Sequence, residues 1–203
     1  MLTIKLKAHE ERRLRAGHLW VFSNEIETGE GFRNIAAGSL CRVFDSRNKP
    51  LGIGYINPKT LMAVRMLSSK ANAEINAEWF AGRIKSALAL RERIYPSPHY
   101  RLIYGESDGL PGLVVDRYGD VLVAQLSTAG MDALKLLVIE ALQSVLKPRG
   151  ILLRNDIAMR ETEGLQQEVE EIGDVPDTVE IEESGVRFEI PLKAGQKTGW
   201  FYD

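Results

Sequence analysis

The stretch "RRLRAGHLWVF" places Arg12, Arg13 and Arg15 within a few residues of His18, Trp20 and Phe22. Guanidinium groups pair with phosphates and stack on bases, and aromatic faces accept unstacked bases, so this is the composition of an RNA-contacting surface. Trp20 and Phe22 alternate with Leu19 and Val21, so one of the two faces has to line a core. The arginines and His18 are expected outside, whereas Trp20 fits either side. Glu106 and Asp108 in "YGESDGLPG" could form a general acid/base pair, but Asp108-Gly109 and Pro111-Gly112 are turn formers and the structural reading is preferred. Cys41, the single cysteine, sits in "SLCRVF" with no neighbouring histidine or acid and reads as a core thiol. His9, His18 and His99 have no metal-ligand spacing. "GQKTG" lacks the spacing of a nucleoside-triphosphate loop, although Gln196, Lys197 and Thr198 could contact a polar ligand or form an exposed turn.

These residues need elements to hold them, and the periodicity supplies two kinds. The first seventy residues read as short strands, "LTIKLK", "SLCRVF", "LGIGYIN" and "LMAVRML", separated by turns such as "DSRNKP", which implies a small β-barrel. An amphipathic helix follows from Asn76 to Tyr95 and ends at Pro96. Strands are expected at 101–104, 113–115 and 121–126, then one helix of about five turns before Pro148, then the strand "GILLRND". The acidic stretch 161–183 reads as a connecting loop leading into a β-hairpin around Glu183-Ser184-Gly185.

Composition narrows the class. The chain has 203 residues, 44% of them hydrophobic, enough for one large core or two small ones. One cysteine excludes an internal disulfide framework. No apolar run suits a signal peptide or a membrane span, so a soluble, cytoplasmic protein without a membrane partner is expected. The net charge of -2 hides a division: residues 1–70 carry twelve Lys/Arg against six Asp/Glu, and the remainder carries fourteen against twenty-two. A basic module attracts nucleic acid by counterion release; an acidic one presents no broad phosphate-binding face. The sequence closes on Trp200, Phe201 and Tyr202, aromatics unfavourable in water, which raises the expectation of a further domain after Asp203.

Taken together, "GHLWVFSNEI" (17–26), "ALALRERIY" (87–95), "YGESDGLPGLVVDRYGD" (104–120), "LLRNDIAMRETEGL" (152–165) and "GQKTGWFYD" (195–203) resemble bacterial class I S-adenosylmethionine-dependent RNA methyltransferases that form 5-methylcytosine in large-subunit (23S) ribosomal RNA. The resemblance implies an α+β chain: a PUA-like RNA-binding β-barrel (1–72), a linker helix (73–99), a small strand-strand-helix-strand-strand domain (100–192), and the start of a truncated methyltransferase domain (193–203). The Rossmann-like methyltransferase domain itself is expected to be absent. The family's cysteine nucleophile and Gly-rich cofactor loop would lie beyond Asp203, so no catalytic residue and no metal ligand is assigned, and the chain alone is expected to be inactive. S-adenosylmethionine is the implied cofactor of the intact protein, with Gln196, Lys197 and Thr198 bordering its pocket but weak binding to this chain. Ribosomal RNA is the implied partner, through Arg12, Arg13, Arg15, His18 and Trp20; a homodimer is left open. The rival reading is a stand-alone, non-enzymatic RNA-binding adaptor.

Overall fold

The computed structural model describes residues 1–183 and 185–194. Its first unit contains β1 (Leu2–Lys5), α1 (Glu11–Arg15), β2 (Trp20–Val21), β3 (Ser39–Phe44), β4 (Pro50–Ile56) and β5 (Val64–Ser68). The strands form one sheet in the order β1-β3-β4-β5-β2, parallel only between β1 and β3. Alternation explains β3: Cys41 and Val43 are buried while Arg42 between them is exposed. They share an apolar core with Ile4, Leu6, Val21 and Ile26. The turn between β3 and β4 is built on Asp45, whose Oδ1 accepts the backbone N–H groups of Arg47 and Lys49 at 2.9 and 2.8 Å. Asn48 takes the left-handed conformation there, φ 61°, which asparagine tolerates.

Helix α2 (Ala77–Ile94) follows, started by Asn76, whose side-chain oxygen accepts the backbone N–H of Trp79 at 2.9 Å. Phe80, Ile84 and Ala87 recur on one face and are buried, whereas Ile94 at the end of the helix is exposed. The second unit comprises β6 (His99–Tyr104), β7 (Leu113–Tyr118), β8 (Val121–Leu126), α3 (Ala129–Ala133), α4 (Lys135–Leu146), β9 (Gly150–Arg154), α5 (Met159–Thr162) and β10 (Val169–Gly173). Its sheet runs β10-β9-β8-β7-β6, antiparallel except for β8 against β9, and α3 and α4 make the crossover that a parallel pair requires. Every residue of β8 and β9 is buried. Leu122, Ala124, Ile151 and Leu153 face the core that α2 and α4 cover. Val121, Val123 and Leu152 face the hairpin of β11 (Thr178–Glu183) and β12 (Val186–Pro191). Apolar burial on both faces is why these strands read as unbroken hydrophobic runs.

The expected α+β arrangement, a barrel and then a strand-strand-helix-strand-strand domain, is corrected by this topology. Part of the acidic stretch 161–183 is not loop: Val169–Gly173 adds β10 as a fifth strand against β9. Its side chains are exposed or only partly buried, so an edge strand there tolerates Glu170 and Glu171 and shows little hydrophobic signal. The single five-turn helix is also two, broken at Leu134, which closes α3 and opens α4.

The two units meet over a polar seat. Glu163, just after α5, is ion-paired with Arg65 of β5 at 2.9 Å, with side chains only 2% and 6% exposed. Its carboxylate also accepts the Asn57 side-chain N–H at 2.9 Å and the Ala129 backbone N–H at 3.3 Å. Beside it, the Tyr55 hydroxyl lies 2.8 Å from the Pro111 carbonyl, to which it donates, and 2.9 Å from the Thr128 hydroxyl. The Tyr55 ring lies against Gly130, where any Cβ would overlap it. Tyr55 and Leu67 of the first sheet belong to the same apolar cluster as Phe80 and Ile84 of α2.

Removing one member of a buried pair leaves the other charge uncompensated. Glu163→Ala is therefore expected to lower stability by about 3–5 kcal/mol, read from denaturant unfolding of the chain. Arg65→Met combined with Glu163→Leu should lose clearly less than the two single replacements added together; strict additivity would show that the pair is not coupled.

Candidate nucleic-acid interface

Helix α1 presents the three arginines in different ways. Arg12 is exposed, and no side-chain hydrogen bond or ion pair is seen for it among the described residues. Arg13 reaches back to Glu25 at 3.1 Å and lies over the Phe22 ring at 4.9 Å. Arg15 donates to Asp45 at 2.7 Å. The positive face is thus partly internal scaffold: two of its guanidinium groups clamp α1 to the turn Ser23–Glu25 and to the β3–β4 turn. Gly17, with φ 95°, lets the chain reverse after α1 and leaves His18 exposed. Trp20 is 36% exposed, and its indole N–H donates to Glu106 of the second unit at 2.9 Å.

The structure places the other sequence candidates in structural roles. Asp108 accepts two hydrogen bonds from Arg91 of α2, at 2.6 and 2.7 Å, and one from the Tyr104 backbone N–H at 2.7 Å. With Glu106 turned to Trp20, the two carboxylates hold chain segments together rather than facing a common ligand. Cys41 is fully buried, and burial pushes its thiol up to about 12, so the thiolate that nucleophilic chemistry needs does not form near neutral pH. His99 is pulled below the ordinary imidazole value, first by burial and then by the Arg117 charge. Among the described residues no cluster of His, Cys, Asp and Glu could hold a metal ion, and no helix is long and apolar enough to cross a membrane. Gln196, Lys197 and Thr198 lie outside the described residues.

A groove on the first unit contains residues that the sequence reading did not single out. It has a volume of about 1010 Å³ and is lined by Lys7, Asn24, Phe32, Arg33, Lys59 and Leu61, among others. Three separate segments supply the cations, so no local run of charge announces them. The signal that was available is "GEGFRN" beside "NPKT", two turn-forming segments each carrying one basic residue.

Comparisons with known proteins bear on this geometry. Residues 4–69 match the model of a PUA-like domain. The chain is 35% identical over 204 residues to the ribosomal RNA large subunit methyltransferase I of Pseudoalteromonas atlantica, covering 98% of this chain and 51% of that protein. The protein of the same name from Tolumonas auensis is 36% identical, with 99% and 52% covered. The chain spans about half the length of the curated relatives it matches. Among solved structures, a chain from Streptococcus mutans assigned as a SAM-dependent methyltransferase shares 17% identity and a TM-score of 0.77, with 96% of this chain and 50% of that one covered. A second methyltransferase-assigned chain, crystallised in complex with SAH, gives a TM-score of 0.78 at 18% identity, with 97% and 49% covered.

The resemblance read from the motifs is matched along nearly the whole chain by these ribosomal RNA methyltransferases, over about half of their own length. The same likenesses overturn the expectation that Rossmann-like methyltransferase architecture is absent. Two chains assigned as methyltransferases share the fold of nearly all of this one, the five-stranded sheet and its flanking helices included, over about half of their own length.

The Asp45 clamp has a pH signature. Its carboxyl is held below the ordinary carboxylate range, first by the Lys49 N–H, then by the Arg47 N–H and the Arg15 charge, against an opposing effect of burial. A depressed folded-state pKa contributes stability that is present above the unfolded value of about 3.9 and is lost as pH falls through the lower folded value. Asp45→Asn should flatten the part of the stability–pH curve below about pH 4, measured by thermal melts across pH; an unchanged acid limb would remove Asp45 from that role.

Proposed function

We propose, for a chain related along its whole length to about half of the ribosomal RNA large subunit methyltransferases I, that it supplies the RNA-holding and substrate-positioning portion of a SAM-dependent ribosomal RNA (cytosine-5) methyltransferase. The observation that carries the reading is the pairing of that likeness with a PUA-like unit whose charge is basic while the remainder of the chain is acidic. In this proposal residues 1–72 dock RNA, 73–99 link, 100–192 position the target, and 193–203 lead toward the cofactor site. Arg12, Arg13, Arg15, His18 and Trp20 are the proposed RNA contacts, and they differ in exposure and in the partners they already hold. Arg12 and His18 are exposed and open to a phosphate or a base. Arg13 and Arg15 would act while holding Glu25 and Asp45, and Trp20 while bound to Glu106.

S-adenosylmethionine, when bound, supplies the methyl group. Gln196, Lys197 and Thr198 are proposed at the border of its site from the resemblance alone. For the described residues the task is binding and orientation: cations neutralise phosphates, and the buried seat between the units fixes where the held RNA is presented.

The test is binding of a large-subunit ribosomal RNA fragment by the 203-residue chain across a salt series. Affinity should fall steeply with salt, and Arg12→Ala should weaken binding and reduce the logarithmic salt slope by about 0.7–0.9 with an unchanged melting temperature. Arg15→Ala should lower the melting temperature as well, because it unlocks Asp45, by an amount within about 1 kcal/mol of stability. No binding even at low salt would overturn the proposed function; an unaltered slope in Arg12→Ala would remove α1 from the interface.

A further inference from the structure

We propose that the groove of Lys7, Arg33 and Lys59 is a second RNA site, separate from α1, that takes unpaired nucleotides of a single strand. The inference deepens the RNA reading above and rests on it. None of Arg12, Arg13, Arg15, His18 or Trp20 lines the groove. The turn Ser23–Glu25 divides the two surfaces: Ser23 and Asn24 line the groove, whereas Glu25 turns back to hold Arg13.

Charge identifies an anion as the occupant. None of the fourteen lining residues is Asp or Glu, in a chain whose net charge is -2. Nearby, Glu27 is 3.7 Å from Lys5 and Glu25 is engaged with Arg13, while Glu30 is exposed between Gly29 and Gly31 and is not part of the lining. Lys7 donates one of its three ammonium hydrogens to the Asn24 carbonyl at 2.7 Å, which fixes the group and leaves two donors for a ligand. Arg33 and Lys59 are exposed, with no ion pair seen for either among the described residues.

Shape and chemistry then favour unpaired RNA over an acidic peptide or a duplex. Phe32 is only partly buried; it packs on the first core and contributes to the groove wall, as a ring that receives a base must. Asn24 and Asn34 add amides able to bond base edges, and Leu61, 69% exposed, gives an apolar rim. A volume of about 1010 Å³ lies at the upper end of small-molecule pockets, so it has room for more than one nucleotide. A concave, aromatic-walled site suits splayed-out bases, whereas an A-form helix offers its bases to no such wall. Gly29 and Gly31 bring bare backbone to the wall: a Cβ at either would meet open space, so nothing hinders the approach of a strand.

The experiment is fluorescence anisotropy with the 203-residue chain and three probes: a labelled single-stranded oligoribonucleotide, the same strand in a duplex, and polyglutamate as competitor. Arg33→Ala with Lys59→Ala should weaken single-strand binding by at least about tenfold and lower the logarithmic salt slope by about 1.4, from about 0.7 for each single-strand phosphate contact. Phe32→Leu, which keeps an apolar group in the core, should weaken single-strand binding by about fivefold or more with no change of slope. Melting curves check that each variant is folded. Unchanged single-strand affinity and slope in the double variant would overturn the inference, as would preference for the duplex or competition by polyglutamate as effective as that by RNA. Wild-type binding that responds to Arg12→Ala and not to the groove variants would sink this site and leave the proposed function standing. A wild-type chain that binds no RNA would remove both.

Discussion

The carboxylate of Glu163 is the constraint on which the arrangement of the molecule depends. Stripping an ion of water costs several kcal/mol even after relaxation, so a buried carboxylate persists only where donors surround it. Here the donors come from three segments distant in sequence: Arg65 of β5, Asn57 after β4, and the backbone of Ala129 at the start of α3. The carboxylate can be satisfied only when the two units are seated in this one arrangement, which makes the pair a specificity device more than a source of net stability. Tyr55 reinforces it from the apolar side, its hydroxyl bonded to the second unit and its ring pressed where Gly130 leaves no side chain. A slide of the interface would break these hydrogen bonds and drive the ring into backbone.

The same distinction between paired and unpaired cations sorts the basic surface. An arginine held by a carboxylate has spent part of its donor fork and shares its field with an opposite charge. Arg13 and Arg15 are of this kind, and each fixes α1 to a turn. Arg12, Arg33 and Lys59 project without such partners among the described residues, so their charge is open to phosphate. A count of basic residues in the first seventy treats all of these alike. Their partners divide them into cations that share their field with a carboxylate and cations that do not, and a phosphate would gain more from the second group.

Several elements were legible because their cause is local. "SLCRVF" alternates and is β3 residue for residue; Asn76 caps α2 where an oxygen is needed three residues before Trp79; the hairpin pairs Thr178–Glu183 with Val186–Pro191. What escaped has non-local causes. Strand β10 exists because β9 offers it an edge, and its glutamates hide it from a hydrophobic scan. Leu134 breaks the helix run without any proline or glycine to mark it. The partner of Arg65 lies nearly a hundred positions away, in a segment whose acidity reads as solvated. The groove is invisible for the same reason, since its three cations come from separate turns and only the folded sheet brings them together.

The seat also bears on how a held strand would reach a reacting centre. RNA bound by cations on a freely tethered unit would explore a volume set by the tether, and its target base would be presented at a low effective concentration. A unit docked through Glu163, Arg65 and Tyr55 is held in one arrangement against the second, so the geometry of any RNA binding would become the geometry of presentation. Whole-chain likeness in fold at low sequence identity includes the mutual placement of the two units, not only each unit by itself. The orientation between them is therefore a property of the fold. In this chain the buried Arg65–Glu163 pair with its ring of donors holds it, together with the Tyr55 hydroxyl and ring and the Trp20–Glu106 hydrogen bond.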